Sequence, residues 1–192
     1  QLNDPYVRQA QAAGYRSRAA FKLIELDDRF NVLKKDARVV DLGAAPGGWT
    51  QVAVERVGAK GTVVAVDIQD WEYVAGAKCL SFDFMDPDSL DRLREALGGP
   101  VDVVMSDMSA PATGHNQTDH LRIVALAEAA WAFAEEVLAP EGAFVCKVFQ
   151  GGTEAGLLKV MRAKCSKVTH AKPPASRKDS AELYVVARGF RG

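Results

Sequence analysis

The sequence has 192 residues with 24 basic and 25 acidic side chains, a formal net charge of −1, and 48% hydrophobic against 26% charged content. This suits one globular domain with a sizeable core, and no apolar run approaches the roughly 18 residues that a membrane span needs. Cys79, Cys146 and Cys165 make neither a disulfide framework nor a zinc pattern, and the chain starts without a signal-like segment, so a reducing, cytoplasmic compartment is expected.

In chain order, residues 17–29 are predicted as a helix with Ser17 as its N-cap. Buried strands follow at Arg38 to Gly43 and Thr62 to Asp67, and a short third strand precedes Asp83. Further strands are expected over Val101 to Asp107, Gly142 to Phe149 and Glu182 to Ala187. Between them lie helices at about 47–57, 88–97 and Thr118 to Leu138. In the last of these, Leu121, Val124, Ala125, Ala129, Ala132 and Phe133 recur at spacings of three and four and mark the buried face. Residues 108–117 and 170–181 read as loops. Strand–helix alternation of this kind predicts an α/β fold, a mostly parallel central sheet with helices on both faces.

The small net charge conceals an asymmetry. Residues 1–22 hold four basic side chains against one acidic, and residues 159–192 hold nine against two. The middle, residues 23–158, holds 11 against 22. Basic ends that fold to one side would make a surface for a polyanion; otherwise they are solvated faces.

Ligands of open α/β sheets bind at the carboxyl ends of the strands. After the first strand comes Asp41-Leu42-Gly43-Ala44-Ala45-Pro46-Gly47-Gly48-Trp49-Thr50. Ala45 stands where a dinucleotide fingerprint needs its second glycine, and no Walker lysine follows. Pro46 removes an amide donor that a pyrophosphate cradle would use. A nucleoside without pyrophosphate fits better, and S-adenosylmethionine is one. Asp67 ends the second strand, where a carboxylate can accept from ribose hydroxyls, and Asp83 is placed to accept from the adenine amine. Trp49 either packs near the cofactor or anchors its helix.

Lys147 interrupts the apolar strand Phe144-Val145-Cys146-Lys147-Val148-Phe149, an expensive place for an ammonium unless it reaches solvent or a partner. Asp107 ends the neighbouring strand, while Lys22 and Glu182 complete the candidates. The stretches Arg16 to Leu23, Asp41 to Trp49, Ser106-Asp107-Met108, Lys147 to Gly151 and Ser180 to Tyr184 together resemble the FtsJ/RrmJ family of 2′-O-ribose RNA methyltransferases. The similarity covers nearly the whole chain in order. It implies a Rossmann-like S-adenosylmethionine-dependent methyltransferase fold in a single domain, with residues 1–35 as a helical RNA-side extension and 36–192 as the core.

The resemblance also implies a catalytic tetrad on Lys22, Asp107, Lys147 and Glu182, and cofactor contacts at Gly47, Trp49, Asp67, Asp83 and Asp107. Its bacterial branch implies methylation of a uridine 2′-hydroxyl in large-subunit (23S) ribosomal RNA within the ribosomal particle, by a cytoplasmic monomer needing no metal, membrane or protein partner. A tRNA or organellar rRNA target, or a non-catalytic ribosome-assembly role, is the alternative. In this chemistry Lys147 is either the base or the stabiliser of the oxyanion. As a base it needs a pKa lowered towards neutrality, helped by Lys22, while Asp107 and Glu182 orient the two ammonium groups.

One departure stands out: Asp107-Met108-Ser109-Ala110-Pro111 displaces the family's proline by one residue and so bears on the nucleotide pocket. Base N-methylation is disfavoured, since no Asn/Asp-Pro-Pro-aromatic motif follows the fourth strand. Cytosine C5 chemistry lacks its cysteine after proline, and a nicotinamide oxidoreductase lacks its glycine and its Tyr-x-x-x-Lys.

Overall fold

The computed structural model describes residues 4–109, 113–149, 151 and 153–192. The displaced Pro111, with Ala110, and Gln150 of the lysine motif lie outside them. Seven strands form one sheet in the order β3-β2-β1-β4-β5-β7-β6. β1 (Arg38–Leu42), β2 (Thr62–Asp67), β3 (Lys78–Ser81), β4 (Val101–Ser106) and β5 (Leu138–Phe149) run parallel. β7 (Glu182–Phe190) inserts antiparallel between β5 and β6 (Cys165–Ala171).

Alternation along each strand builds two cores. Val40, Leu42, Val104, Phe144 and Cys146 face α4 (Ser89–Leu97), α5 (Asn116–Val137) and α6 (Ala155–Lys164). Val39, Val103, Met105, Val145 and Tyr184 face α2 (Ala19–Phe30) and α3 (Gly48–Val57). α1 (Pro5–Ala13) packs on α2 and is capped by Asp4, which accepts from the Tyr6 amide at 2.9 Å. No helix among the described residues is long and apolar enough to cross a membrane.

Three expectations need correction. Ser17 does not cap α2: Arg18 occupies the N-cap and makes no side-chain cap bond. The buried face of α5 is Ile123, Ala127, Ala130, Trp131, Phe133, Ala134 and Val137, while Leu121 is 61% exposed. This helix is apolar nearly all round over residues 123–134, so periodicity could not select a side; the sheet takes the side that carries Trp131. Residues 170 and 171 belong to β6 and not to a loop, and α1, α6 and β6 add to the predicted elements.

Candidate active site

The alternation that builds the second core also gathers the four candidate charges. Met105 faces α2 and α3, so Asp107, two residues further on, leaves the sheet edge on that side. Val145 has the same orientation, and so does Lys147. Antiparallel pairing sets Lys147 opposite Tyr184 and Phe149 opposite Glu182. α2 crosses this face and supplies Lys22 from a sequence distance of 160 residues.

The resulting cluster is continuous. Lys22 Nζ donates to Glu182 Oε1 at 2.5 Å, and Lys147 Nζ lies 3.7 Å from Glu182 Oε2 and 3.2 Å from Asp107 Oδ1. The Tyr184 hydroxyl donates to the same Asp107 oxygen at 2.7 Å. Lys147 also donates to Ser109 Oγ at 2.7 Å, so the residue at the departure from the family motif touches the central lysine. Ser176 Oγ donates to Glu182 Oε1 at 3.2 Å.

The electrostatics bear on the two roles open to Lys147. Burial pushes the Lys147 ammonium towards neutrality, but Asp107 and Glu182 outweigh it and hold its pKa above the ordinary lysine value. Removing an ion from water costs several kcal/mol. One opposite charge at about 4 Å returns roughly 4 kcal/mol at an effective dielectric near 20, so two carboxylates tip the balance. Glu182 is the mirror image: burial raises its pKa, yet Lys22 and Lys147 bring it below the usual carboxylate value. The two carboxylates beside Lys147 thus favour its ammonium form, which donates hydrogen bonds to its neighbours.

Two cavities meet at this cluster. A cleft of about 550 Å³ runs along the carboxyl ends of β1, β2 and β4 and includes Asp67, Asp83 and Asp107 in its wall. A polar depression of about 450 Å³ lies on the other side, walled by Arg18, Lys22, Arg177 and Glu182 among others. Lys147 contacts Asp107 of the first and Glu182 of the second.

In the larger cleft, Asp67 ties the glycine turn by accepting from the Ala45 amide at 3.0 Å and from Gln69 at 2.9 Å. Asp83 Oδ1 accepts from Met85 at 2.9 Å. Ile68 and Met85, 66% and 55% exposed, lie in the same wall as the two acids. Apolar side chains left open to solvent beside strand-end carboxylates make a slot for a flat base with hydroxyl and amine donors, and the acidic lining suits a cation. The residues thus fit an adenosine attached to a cationic tail better than a pyrophosphate. Gly43 (φ 74°) permits this wall, since a Cβ there would sit 2.6 Å from Met108 Cγ.

Gly47 and Trp49 lie outside that wall. Trp49 is buried, donates its Nε1 to the Ala19 carbonyl at 2.9 Å and packs on Tyr184, so the anchoring alternative describes its position. Gly47 is the N-cap of α3 with φ 121°. Arg16 braces that turn, donating to the carbonyls of Pro46 at 2.9 Å, Glu72 at 2.6 Å and Tyr73 at 2.6 Å. Asp41 is fully buried beneath the cleft. Burial, with Asp107 and Asp67 nearby, pushes its carboxyl up to about 7 despite a 2.7 Å hydrogen bond from Thr50.

Sequence reasoning gave no role to Tyr184, Ser109, Ile68, Met85 or Arg16. Tyr184, Ser109 and Arg16 fell inside quoted motifs, but nothing in the one-dimensional pattern said which groups they would touch. An apolar residue directly after a strand-end acid was the available signal for Ile68.

This strand order, with an antiparallel β7 and acids at successive strand ends around a cleft, defines a Rossmann-like methyltransferase. A solved ribosomal RNA methyltransferase from Plasmodium falciparum is similar over 93% of this chain and all of its own, with a TM-score of 0.82 at 29% identity. The FtsJ-like methyltransferase model matches residues 15–190, and the chain belongs to that family. Ribosomal RNA large subunit methyltransferase E of Rhodospirillum rubrum is 65% identical to it, over the whole of this chain and 74% of that protein. The protein of the same name from Paramagnetospirillum magneticum is 64% identical, over the whole chain and 81% of its own length.

Proposed function

We propose that this protein transfers a methyl group from S-adenosylmethionine to the ribose 2′-hydroxyl of a uridine in large-subunit ribosomal RNA, within the large ribosomal particle. The observation that carries the reading is the position of Lys22, Asp107, Lys147 and Glu182 between two cavities, one suited to a nucleoside and the other edged with basic residues. The names of the relatives supply the choice of RNA.

Asp67 and Asp83 hold the ribose and adenine of the cofactor, Ile68 and Met85 flank its base, and Asp107 receives its cationic end. Gly47 and Trp49 contribute by building and anchoring the turn below it. The cofactor supplies an activated sulfonium methyl. The protein has to hold the 2′-oxygen in line with that methyl and manage its proton. Lys147, whose carboxylate neighbours favour its ammonium form, donates a hydrogen bond that orients the oxygen with its second lone pair towards the methyl. Lys22 and Glu182 fix the position of Lys147, and Tyr184 fixes that of Asp107. The hydroxyl becomes far more acidic as its oxygen bonds to carbon, so the Asp107 carboxylate or water suffices to take the proton.

The test is incubation of the wild type and Lys147→Ala with labelled cofactor and large subunits, free rRNA or tRNA, followed by mapping of the modified nucleotide. The expected product is a 2′-O-methyluridine in the large-subunit RNA, absent with the variant. Methyl recovered on a base, or undiminished labelling by the variant, overturns the proposal.

A further inference from the structure

At the edge of the sheet opposite the active site lies a cavity of about 720 Å³ that no part of the proposed reaction uses. Its walls include Arg29 and Phe30 from the end of α2, Lys34 and Lys35 from the connection to β1, and Arg188 from β7. The sequence gives no hint of this grouping, because the first four lie in the acidic middle of the chain and Arg188 in the basic C-terminal stretch.

The guanidinium carbons of Arg29 and Arg188 lie 4.7 and 5.1 Å from the centroid of the same Phe30 ring. One aromatic side chain therefore holds two like charges together. Among the described residues none of Arg29, Lys34, Lys35 and Arg188 has an ion pair. Arg188 Nε is buried with no hydrogen-bond partner. Asp36, Asp102 and Glu141 share the wall, but Asp102 is engaged with the Arg38 amide at 2.8 Å and none of the three comes within ion-pairing distance of these cations. Two guanidinium groups on one ring repel where no carboxylate pairs directly with them, and a buried N–H without an acceptor is costly. An anion in the cavity relieves both.

We infer that this cavity binds the phosphodiester backbone of the RNA substrate, as a second contact remote from the methylated nucleotide; the inference rests on the reading of the protein as an RNA methyltransferase. Exposed lysines and stacked guanidinium groups suit phosphates, which position a nucleic acid without reading its sequence. A strand of five or six residues separates the two ends of the sheet by about 17–20 Å, a span that a large folded RNA lying around the side of the domain can bridge. A single folded RNA can therefore reach both ends.

The experiment compares wild type with Arg29→Gln/Lys34→Gln/Lys35→Gln in binding large-subunit rRNA across a salt titration. Cofactor affinity and melting temperature serve as controls for folding. The expected result is weaker RNA binding and a log–log salt slope shallower by about 0.7–0.9 for each phosphate that the variant no longer neutralises, with both controls unchanged. Lys34→Arg/Lys35→Arg, which keeps the charge, is expected to keep the wild-type slope. Unchanged affinity and slope in the triple variant, with wild type binding and methylating the RNA, overturns this inference alone. Inorganic phosphate that binds wild type but not the triple variant at low millimolar concentration, with RNA affinity and salt slope equal in the two proteins, overturns it in favour of a small-anion site. Wild type that neither binds nor methylates the RNA overturns the proposed function and this inference with it.

Discussion

The Tyr184 hydroxyl and the Lys147 ammonium both donate to Oδ1 of Asp107, at 2.7 and 3.2 Å, although they come from different strands. The two residues are also register partners across β5 and β7. A single carboxylate oxygen is thereby fixed from two sides at the junction of the two cavities. Tyr184→Phe removes one of these donors while leaving the ring against Trp49. A hydrogen bond to a charged group is worth roughly 1.5–3 kcal/mol, so kcat is expected to fall at least about tenfold, with a smaller change in cofactor affinity. Single-turnover kinetics and calorimetric titration separate the two effects.

Lys147→Ala leaves Asp107 and Glu182 facing each other without the cation between them. Loss of positioned catalysis of this kind typically costs about 10²- to 10⁴-fold in rate. Arginine is not expected to rescue it, because a planar fork cannot occupy the site of a point ammonium. Because its two carboxylate neighbours keep Lys147 charged, kcat is expected to show no rise near pH 7 that tracks lysine deprotonation. A rise that disappears in the variant would restore the base role.

Ser109 holds Lys147 through a neutral acceptor at 2.7 Å and also lines the larger cleft. A typical net hydrogen bond is worth about 1 kcal/mol. Ser109→Ala is expected to lower kcat by about fivefold with a nearly unchanged cofactor Kd. An unaltered kcat would show that the extra residue before Pro111 does not act through the lysine.

Asp67→Asn and Asp83→Asn each replace a carboxylate in the wall of the cleft proposed for the cofactor. Weakening of cofactor binding by about 10- to 100-fold is expected for the loss of one charge-assisted interaction. Titration with the demethylated product, S-adenosylhomocysteine, provides the measurement. Wild-type affinity in both variants would move the cofactor out of this cleft.

The buried Asp41 gives the stability curve a signature. Its carboxyl is raised to about 7 in the folded protein and titrates near 4 when unfolded. The folded state then binds the extra proton, so this group's contribution is complete below about pH 4 and is lost as pH rises through about 7. Removing that group in Asp41→Asn is expected to flatten the fall in melting temperature between these limits. An identical pH profile in wild type and variant would show that Asp41 is ionised throughout.

The sequence by itself determined much of this protein. Short continuous apolar runs alternating with helical stretches specified the parallel sheet, because strands covered by helices on both faces read as unbroken apolar segments. Strand-end acids and the Asp41 to Trp49 turn pointed to the carboxyl edge of the sheet, where the structure has its larger cleft, since ligands collect where strands give way to loops. The four charged residues were legible through motif resemblance, but their mutual contacts were not. Only the tertiary structure decided that two carboxylates would keep Lys147 protonated, because that outcome depends on distances between residues up to 160 positions apart. It also chose the buried side of α5, where an all-round apolar sequence left the pattern silent. The same reason hid the far cavity: charge summed along a chain does not say which cations will share one phenylalanine ring.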